Sequence, residues 1–296
     1  VGLLGGVVGE VGQRVGAGLR IAQALALQRH DAHGLAQRRR GAHLRRLRPA
    51  DCALFALAQA PVLQREPGPR HLHGALQLGG TSTSVAAIDV DAGSLVLSTA
   101  NYPAAQVTLA AGAILDMRGQ TNGQIGSVVS ASSSAAIKNF SLDTGGKLVT
   151  GADGTNGTFA GLIGSDYTSG KLSITKIGSG AWTLTANNAG SILDALQVNG
   201  GSIVLAGASA RVGFVMTILA EGGSLVLDNS TNVVANRLGG TTSIMTTTAD
   251  RTLSMRGGQL SFIGGTTAVT EALNTVTNLS GQTRWNLTQN SGNQTR

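Results

Sequence analysis

Gly200-Gly201-Ser202-Ile203-Val204-Leu205 and Gly222-Gly223-Ser224-Leu225-Val226-Leu227 are one phrase written twice, 22 residues apart. The glycine pair lets the backbone turn through positive φ. The triplet behind it alternates apolar faces at a period of two, and its aliphatic, β-branched residues suit a pleated surface. Ala92-Gly93-Ser94-Leu95-Val96-Leu97 and Gly257-Gly258-Gln259-Leu260-Ser261-Phe262 repeat it, and looser copies start at Ala111, Gly145, Ser169, Ser179 and Ser280. Measured on the second small residue, the copies stand at 93, 112, 146, 170, 180, 201, 223, 258 and 281, with gaps of 19, 34, 24, 10, 21, 22, 35 and 23. Each long gap has room for one degenerate copy, near Gly126 and near Gly240. A period of twenty-odd residues is the mark of a solenoid.

Strands this short cannot bury a face alone, whereas stacked coils turn their inward residues into continuous ladders. The expectation is an all-β fold, a right-handed parallel β-helix. Roughly ten coils at about 4.8 Å each would give a stack of about 45–50 Å. Stretches such as Gly151-Ala152-Asp153-Gly154-Thr155-Asn156-Gly157 are loop chemistry. Low aromatic content fits a narrow coil, Ser/Thr/Asn ladders fit its outside, and no proline follows Pro103. A β-sandwich, with turn signals every 8–12 residues, is the competing architecture.

The chain joins two compositions. Residues 1–76 contain 11 Arg and no Lys against Glu10, Asp31, Asp51 and Glu66, which accounts for the whole net charge of +7. All five His and the single Cys52 lie there, and Ser, Thr, Asn and Lys are missing from it. From 77 to 296, 11 basic and 11 acidic residues cancel. The expected division is therefore a basic segment, 1–76, and a repeat region, 77–296. The first segment, with Arg38-Arg39-Arg40 and Arg45-Arg46, reads as disordered or loosely helical, or as the wrong frame or strand of a GC-rich gene. A nucleic-acid arm would fit its charge, but it has no stacking aromatics and no recognisable motif, so no nucleic-acid partner is expected. One Cys excludes an intrachain disulfide, and no Cys/His spacing suits zinc. No apolar run reaches eighteen residues, and Val1 to Val8 makes a poor signal peptide. Residue 1 is not Met, which points to a fragment.

Thr158 through Gly164, then Gly170 through Thr185, carry a denser pattern. Leu172, Lys176, Gly178, Gly180, Trp182, Thr183 and Leu184 form its core, and Val198, Gly200, Gly201, Ile203 and Leu205 its return. This resembles the autotransporter-associated β-strand repeat of bacterial autotransporter passenger domains, over roughly 80–290. Downstream, Asn236-Arg237-Leu238-Gly239, Leu253, Gly257 to Leu260 and Glu271 through Gly281 follow in matching order. Asn187-Asn188-Ala189-Gly190 departs from the pattern. The resemblance implies a cell-surface, outer-membrane or secreted bacterial protein exported by type V secretion, with an outer-membrane β-barrel in the full-length molecule. No such barrel sequence is visible here. Its implied partners are host or neighbouring-cell surface molecules, or further copies of itself.

Catalytic chemistry finds little to work with. The repeat region has no His and no Cys to serve a Ser or Cys nucleophile. Asp89 and Asp91 form its one close carboxylate pair, the minimum for a polysaccharide lyase or hydrolase on a β-helix. Asp153 and Asn156 lack the spaced oxygen ligands of a calcium loop and read as a turn. Lys171 and Lys176 flank the Trp182 segment without making a nucleic-acid groove, and Trp182 reads as packing rather than as a sugar platform. Asn-x-Ser/Thr sequons at Asn139, Asn156, Asn229, Asn278 and Asn286 carry little weight in so Asn- and Thr-rich a sequence. The expected protein is non-enzymatic and cofactor-free. The residues singled out, Leu172, Lys176, Gly178, Gly180, Trp182, Leu184, Gly201, Leu205, Gly223, Leu227, Gly258 and Leu260, are structural. The alternatives are a polysaccharide-acting enzyme and a viral tail-fibre β-helix.

Overall fold

A computed structural model describes residues 74–98, 100–165, 170–220, 222–238, 252–273 and 275–289. The expectations for 1–73 lie outside the described residues. Strands β1 (Ala75–Leu78), β2 (Ala87–Val90), β3 (Ser94–Leu97), β4 (Asn101–Leu109), β5 (Ile114–Asp116), β6 (Gly123–Val129) and β7 (Ala136–Asn139) come first. They are followed by β8 (Gly146–Thr150), β9 (Gly157–Phe159), β10 (Leu162–Ser165), β11 (Leu172–Lys176), β12 (Ala181–Leu184) and β13 (Asn187–Val198). The last are β14 (Gly201–Leu205), β15 (Arg211–Ala220), β16 (Gly223–Asp228), β17 (Thr252–Arg256), β18 (Gln259–Gly264), β19 (Thr275–Ser280) and β20 (Arg284–Gln289). No helix occurs among the described residues.

The strands form three sheets. Sheet A runs β2-β4-β6-β8-β11-β13-β15-β17-β19, sheet B runs β1-β3-β5-β7-β10, and sheet C runs β9-β12-β14-β16-β18-β20. Every paired strand is parallel to its partner, with pairs such as Leu95 on Leu115 and Leu205 on Leu227 in direct register. This is a parallel β-solenoid. The β-sandwich, built from antiparallel sheets, is excluded. Nine strands of sheet A make eight steps, so the solenoid has about eight turns, not ten. At about 4.8 Å per step, that sheet extends about 38 Å.

The overcount has a physical origin. The glycine phrase specifies a turn followed by a strand, and any corner of a coil can use that combination. Copies at 93 and 112 open β3 and β5 of sheet B, those at 146 and 170 open β8 and β11 of sheet A, and the remaining five open strands of sheet C. The gap of 10 between 170 and 180 therefore lies within one turn, from β11 to β12. Gly126 is no hidden copy: it sits inside β6, where a Cβ would come 2.7 Å from the Ala105 carbonyl oxygen. Position 240 lies outside the described residues, but Ser224 of β16 pairs directly with Gln259 of β18, which leaves no place for a coil between them. The boundary expected after residue 76 also shifts, because β1 already begins at Ala75.

Inside, the register builds apolar columns. Sheet B stacks Leu76, Leu95, Leu115, Ile137 and Ile163. Sheet C stacks Trp182, Ile203, Leu225 and Leu260 beside Leu184, Leu205, Leu227 and Phe262. The ring of Trp182 lies against buried Phe159, centroids 6.2 Å apart. Truncating one such leucine to alanine costs about 2–5 kcal/mol. Pro103 lies within β4, and the β4–β6 register shifts between Tyr102 and Gln106, so the residue without an N–H sits at an irregularity of the ladder.

Candidate binding groove where the third sheet begins

Sheet C starts only at β9, halfway along sheet A. In the earlier turns the chain passes from sheet A to sheet B through short turns such as Asp91-Ala92-Gly93. The first strand of sheet C therefore has no full strand in front of it, only Ser130, which bridges Phe159. Ser130 N donates to the Thr158 carbonyl at 3.0 Å, and Ala160 N donates to the Ser130 carbonyl at 2.9 Å. The step leaves an open groove of about 590 Å³, walled by Thr108, Val129, Ser130, Asn156, Thr158 and Thr183.

The groove is held from both sides. Ser130 Oγ donates to the Leu109 carbonyl at 2.7 Å, and Asn156 Oδ1 accepts from Ala181 N at 2.7 Å. Behind the wall, Trp182 Nε1 donates to the Val128 carbonyl at 2.9 Å. The indole is packed against Phe159 and tethered to the Val128 carbonyl, and it is buried. On the loop before Asn156, Asp153 accepts from Ser127 Oγ at 2.6 Å and from Thr155 Oγ1 at 2.9 Å. The Asp153 loop is a polar turn bound to β6.

Lys176 requires a correction. Placed by sequence beside Lys171 as a flanking surface charge, it is instead 1% exposed within the coil. Its Nζ donates to the Ile177 carbonyl at 2.6 Å and to the Gly178 carbonyl at 3.3 Å. Burial pushes its pKa below the usual lysine value, and the charge of Asp153 partly offsets this. The ammonium ties down the turn at Gly178, which demands glycine because its φ is +69° and an added Cβ would come 2.0 Å from the Gly151 carbonyl oxygen. Gly201, Gly222, Gly257 and Gly281 repeat the positive φ at the following corners.

The remaining singled-out residues have scaffold positions. Leu172, Leu184, Leu205, Leu227 and Leu260 are buried in the columns, and Gly180, Gly223 and Gly258 lie at tight corners against neighbouring backbone. Asp89 is exposed on β2, in direct register with the groove residue Thr108 of β4, and Asp91 is half-buried in the turn after β2.

Two polar centres escaped the sequence reading as centres. Asn139 is wholly buried: its Oδ1 accepts from Gly119 N at 2.6 Å, and its Nδ2 donates to the carbonyls of Thr144 at 2.9 Å and Gly170 at 2.8 Å. It knits three successive turns. Arg237 is 0% exposed, with Nε on Asn229 Oδ1 at 2.8 Å and the terminal nitrogens on the carbonyls of Gly207, Ala210 and Asn232. Glu271 accepts from the backbone N–H of Arg237 at 2.7 Å and of Leu238 at 2.8 Å. Desolvation lowers the Arg237 pKa, opposed by Asp228 and Glu271. The usable signal was a polar residue in the inward phase, as with Asn139 two places after Ile137. Among the described residues no group of His, Cys, Asp and Glu could hold a metal ion. No family model, curated protein or solved structure matches the chain.

Proposed function

We propose that the chain is a non-enzymatic passenger-type β-solenoid at the bacterial cell surface, or secreted, acting in adhesion or self-association. The observation that carries this reading is the groove at the start of sheet C, a concavity walled by hydroxyl, amide and small apolar groups. The exposed wall is more apolar than polar, with the Thr108, Thr158 and Thr183 hydroxyls as neutral hydrogen-bonding groups, a surface suited to amphipathic surface molecules of a host or neighbouring cell. The parallel solenoid supplies a stiff support, and the sequence resemblance to autotransporter passengers supports an outer-membrane barrel as its anchor in the full-length protein.

The test is binding of the purified full chain to immobilised cell-surface glycans and proteins, alongside depolymerisation assays on acidic and neutral polysaccharides. Binding that weakens at least tenfold in a Thr158→Lys/Thr183→Lys variant, without depolymerisation, is the expected result. Depolymerisation that disappears in Asp89→Asn/Asp91→Asn would replace this reading with the polysaccharide-acting enzyme.

A further inference from the structure

Three asparagine–glycine pairs occur in the repeat region, at Asn122-Gly123, Asn156-Gly157 and Asn199-Gly200. In such a pair the glycine nitrogen can attack the side-chain amide of the asparagine, because no Cβ hinders the approach and the backbone is permissive. The reaction needs a glycine N–H free to lose its proton and a side-chain amide free to turn. It also needs a backbone that can bring nitrogen and carbon within about 3–3.5 Å. The fold grants these conditions unequally.

Asn156 is the most restrained of the three. Its Oδ1 accepts from Ala181 N at 2.7 Å, and Gly157 is the first residue of β9, in register with Trp182. Asn122 is exposed, but Gly123 is buried at the start of β6, in register with Leu148, where an added Cβ would come 2.7 Å from Met117 Cε. Asn199-Gly200 is the pair with neither residue in a strand, since β13 ends at Val198 and β14 begins at Gly201. Asn199 is exposed, and its side chain has no hydrogen-bond partner among the described residues. The Gly200 N–H likewise donates to none of them. Only the backbone N–H of Asn199 is engaged, donating to the Lys176 carbonyl at 2.8 Å. That bond holds the residue at the corner and leaves both reacting groups unbound.

We propose that Asn199 is a site of self-modification, converting spontaneously to aspartate and isoaspartate ahead of Asn122 and Asn156. The lone pair of the Gly200 nitrogen forms a bond to Asn199 Cγ. The Cγ–Nδ2 bond breaks, and the amide leaves as ammonia with the proton that Gly200 gives up. Water then opens the resulting five-membered succinimide. Opening at the side-chain carbonyl gives aspartate, and opening at the main-chain carbonyl gives isoaspartate, with one more methylene in the backbone. Either product places a negative charge on the corner. The isoaspartyl form also lengthens the chain where corners are packed, because a Cβ on Gly200 would already come 3.0 Å from the Gly178 carbonyl oxygen. Its free α-carboxylate is the group that an isoaspartyl methyltransferase would esterify. Conversion at Asn199 needs no partner and does not depend on the adhesion reading.

Peptide mapping by mass spectrometry tests it, on the full chain incubated folded and, in parallel, unfolded in urea. In the folded chain, the mass gain of amide-to-acid conversion should appear at Asn199 roughly tenfold or more faster than at Asn122 or Asn156. Its rate should rise with pH, because the Gly200 N–H must lose its proton, and the product should accept methyl groups from an isoaspartyl methyltransferase. In urea the three rates should converge, since the pairs then share the same chemistry without the fold. Asn199→Gln, whose longer amide closes its ring far more slowly, should abolish methyl acceptance in that peptide while keeping the strand circular dichroism. The ranking of the three pairs in the unsubstituted chain stands however that variant folds. Asn122 or Asn156 matching Asn199 in the folded chain would overturn the proposal. So would an Asn199 that stays intact while the unfolded chain reacts, or one whose conversion is indifferent to pH.

Discussion

The two halves of the solenoid use one turn-and-strand phrase on different walls. From β1 to β7 the chain alternates between sheets A and B, and the phrase opens sheet B strands. From β11 to β20 it alternates between A and C, and after the copy at 170, which opens β11, the phrase opens sheet C strands. The exchange occurs at β8 to β11, where one turn carries all three walls. The leading residues of β13 then occupy the place that sheet B vacates, with Asn188 Oδ1 accepting from Ile163 N at 2.7 Å. What differs is therefore the seating of the corners. In the first half, the turn at Gly112 is open, and a Cβ added there would meet no atom within 4 Å. In the second, Gly178, Gly180, Gly201 and Gly223 are packed backbone on backbone, although Gly222 meets only the Asn199 carbonyl oxygen at 3.8 Å.

That contrast gives the largest predicted effect. Gly178→Ala should destabilise the chain by on the order of 3–5 kcal/mol, since positive-φ strain and overpacking against Gly151 each contribute about 1–3 kcal/mol. Gly112→Ala, with φ of +75° but open surroundings, should cost about 1–2 kcal/mol. Urea titration followed by circular dichroism compares them. Equal losses would show that the corners of the two halves are packed alike.

Legibility divides along the same line. The local link was readable: Gly-Gly-x-Leu-x-Leu reports a turn and an inward-alternating strand wherever it occurs, and Leu205, Leu227 and Leu260 are buried accordingly. The wall on which each strand lies was not readable, because it depends on the register of neighbours about twenty residues away and not on the phrase. Hence Gly146 and Gly170 looked like coil starts beside Gly180, although they open sheet A strands. The groove was hidden for the same reason. Thr108, Ser130, Asn156 and Thr183 share no motif and meet only because sheet C begins there. Lys176 was hidden differently: a cation normally marks surface, but here carbonyls of the corner solvate it, as others do for the buried Arg237.

The buried amides sharpen the comparison at a smaller scale. Asn139→Ala in the first half strips partners from Gly119 N and from the carbonyls of Thr144 and Gly170. At about 1–3 kcal/mol for a buried group left unpaired, the expected loss is roughly 3 kcal/mol. Asn188→Ala removes one bond, and its Nδ2 already lacks a partner among the described residues, so about 1 kcal/mol is expected. Thermal melts of the two variants should differ accordingly. An Asn188 variant as damaged as the Asn139 variant would mean that the B position remains structurally essential after sheet B has ended.

The smallest effect concerns the ammonium at the exchange itself. Because burial depresses the Lys176 pKa, the unfolded chain holds that proton more firmly than the folded one between the folded value and the ordinary lysine value. Stability from this group therefore rises as pH climbs through that interval, and below it the penalty of a buried charge persists in full. Lys176→Met keeps the length of the side chain and removes both the titration and the donation to Ile177 and Gly178. Its melting temperature, subtracted from that of the unsubstituted chain at each pH, should show the unsubstituted chain gaining ground on the alkaline side. A difference flat with pH would mean that Lys176 titrates in the fold as it does in water, and that its role at the corner is hydrogen bonding alone.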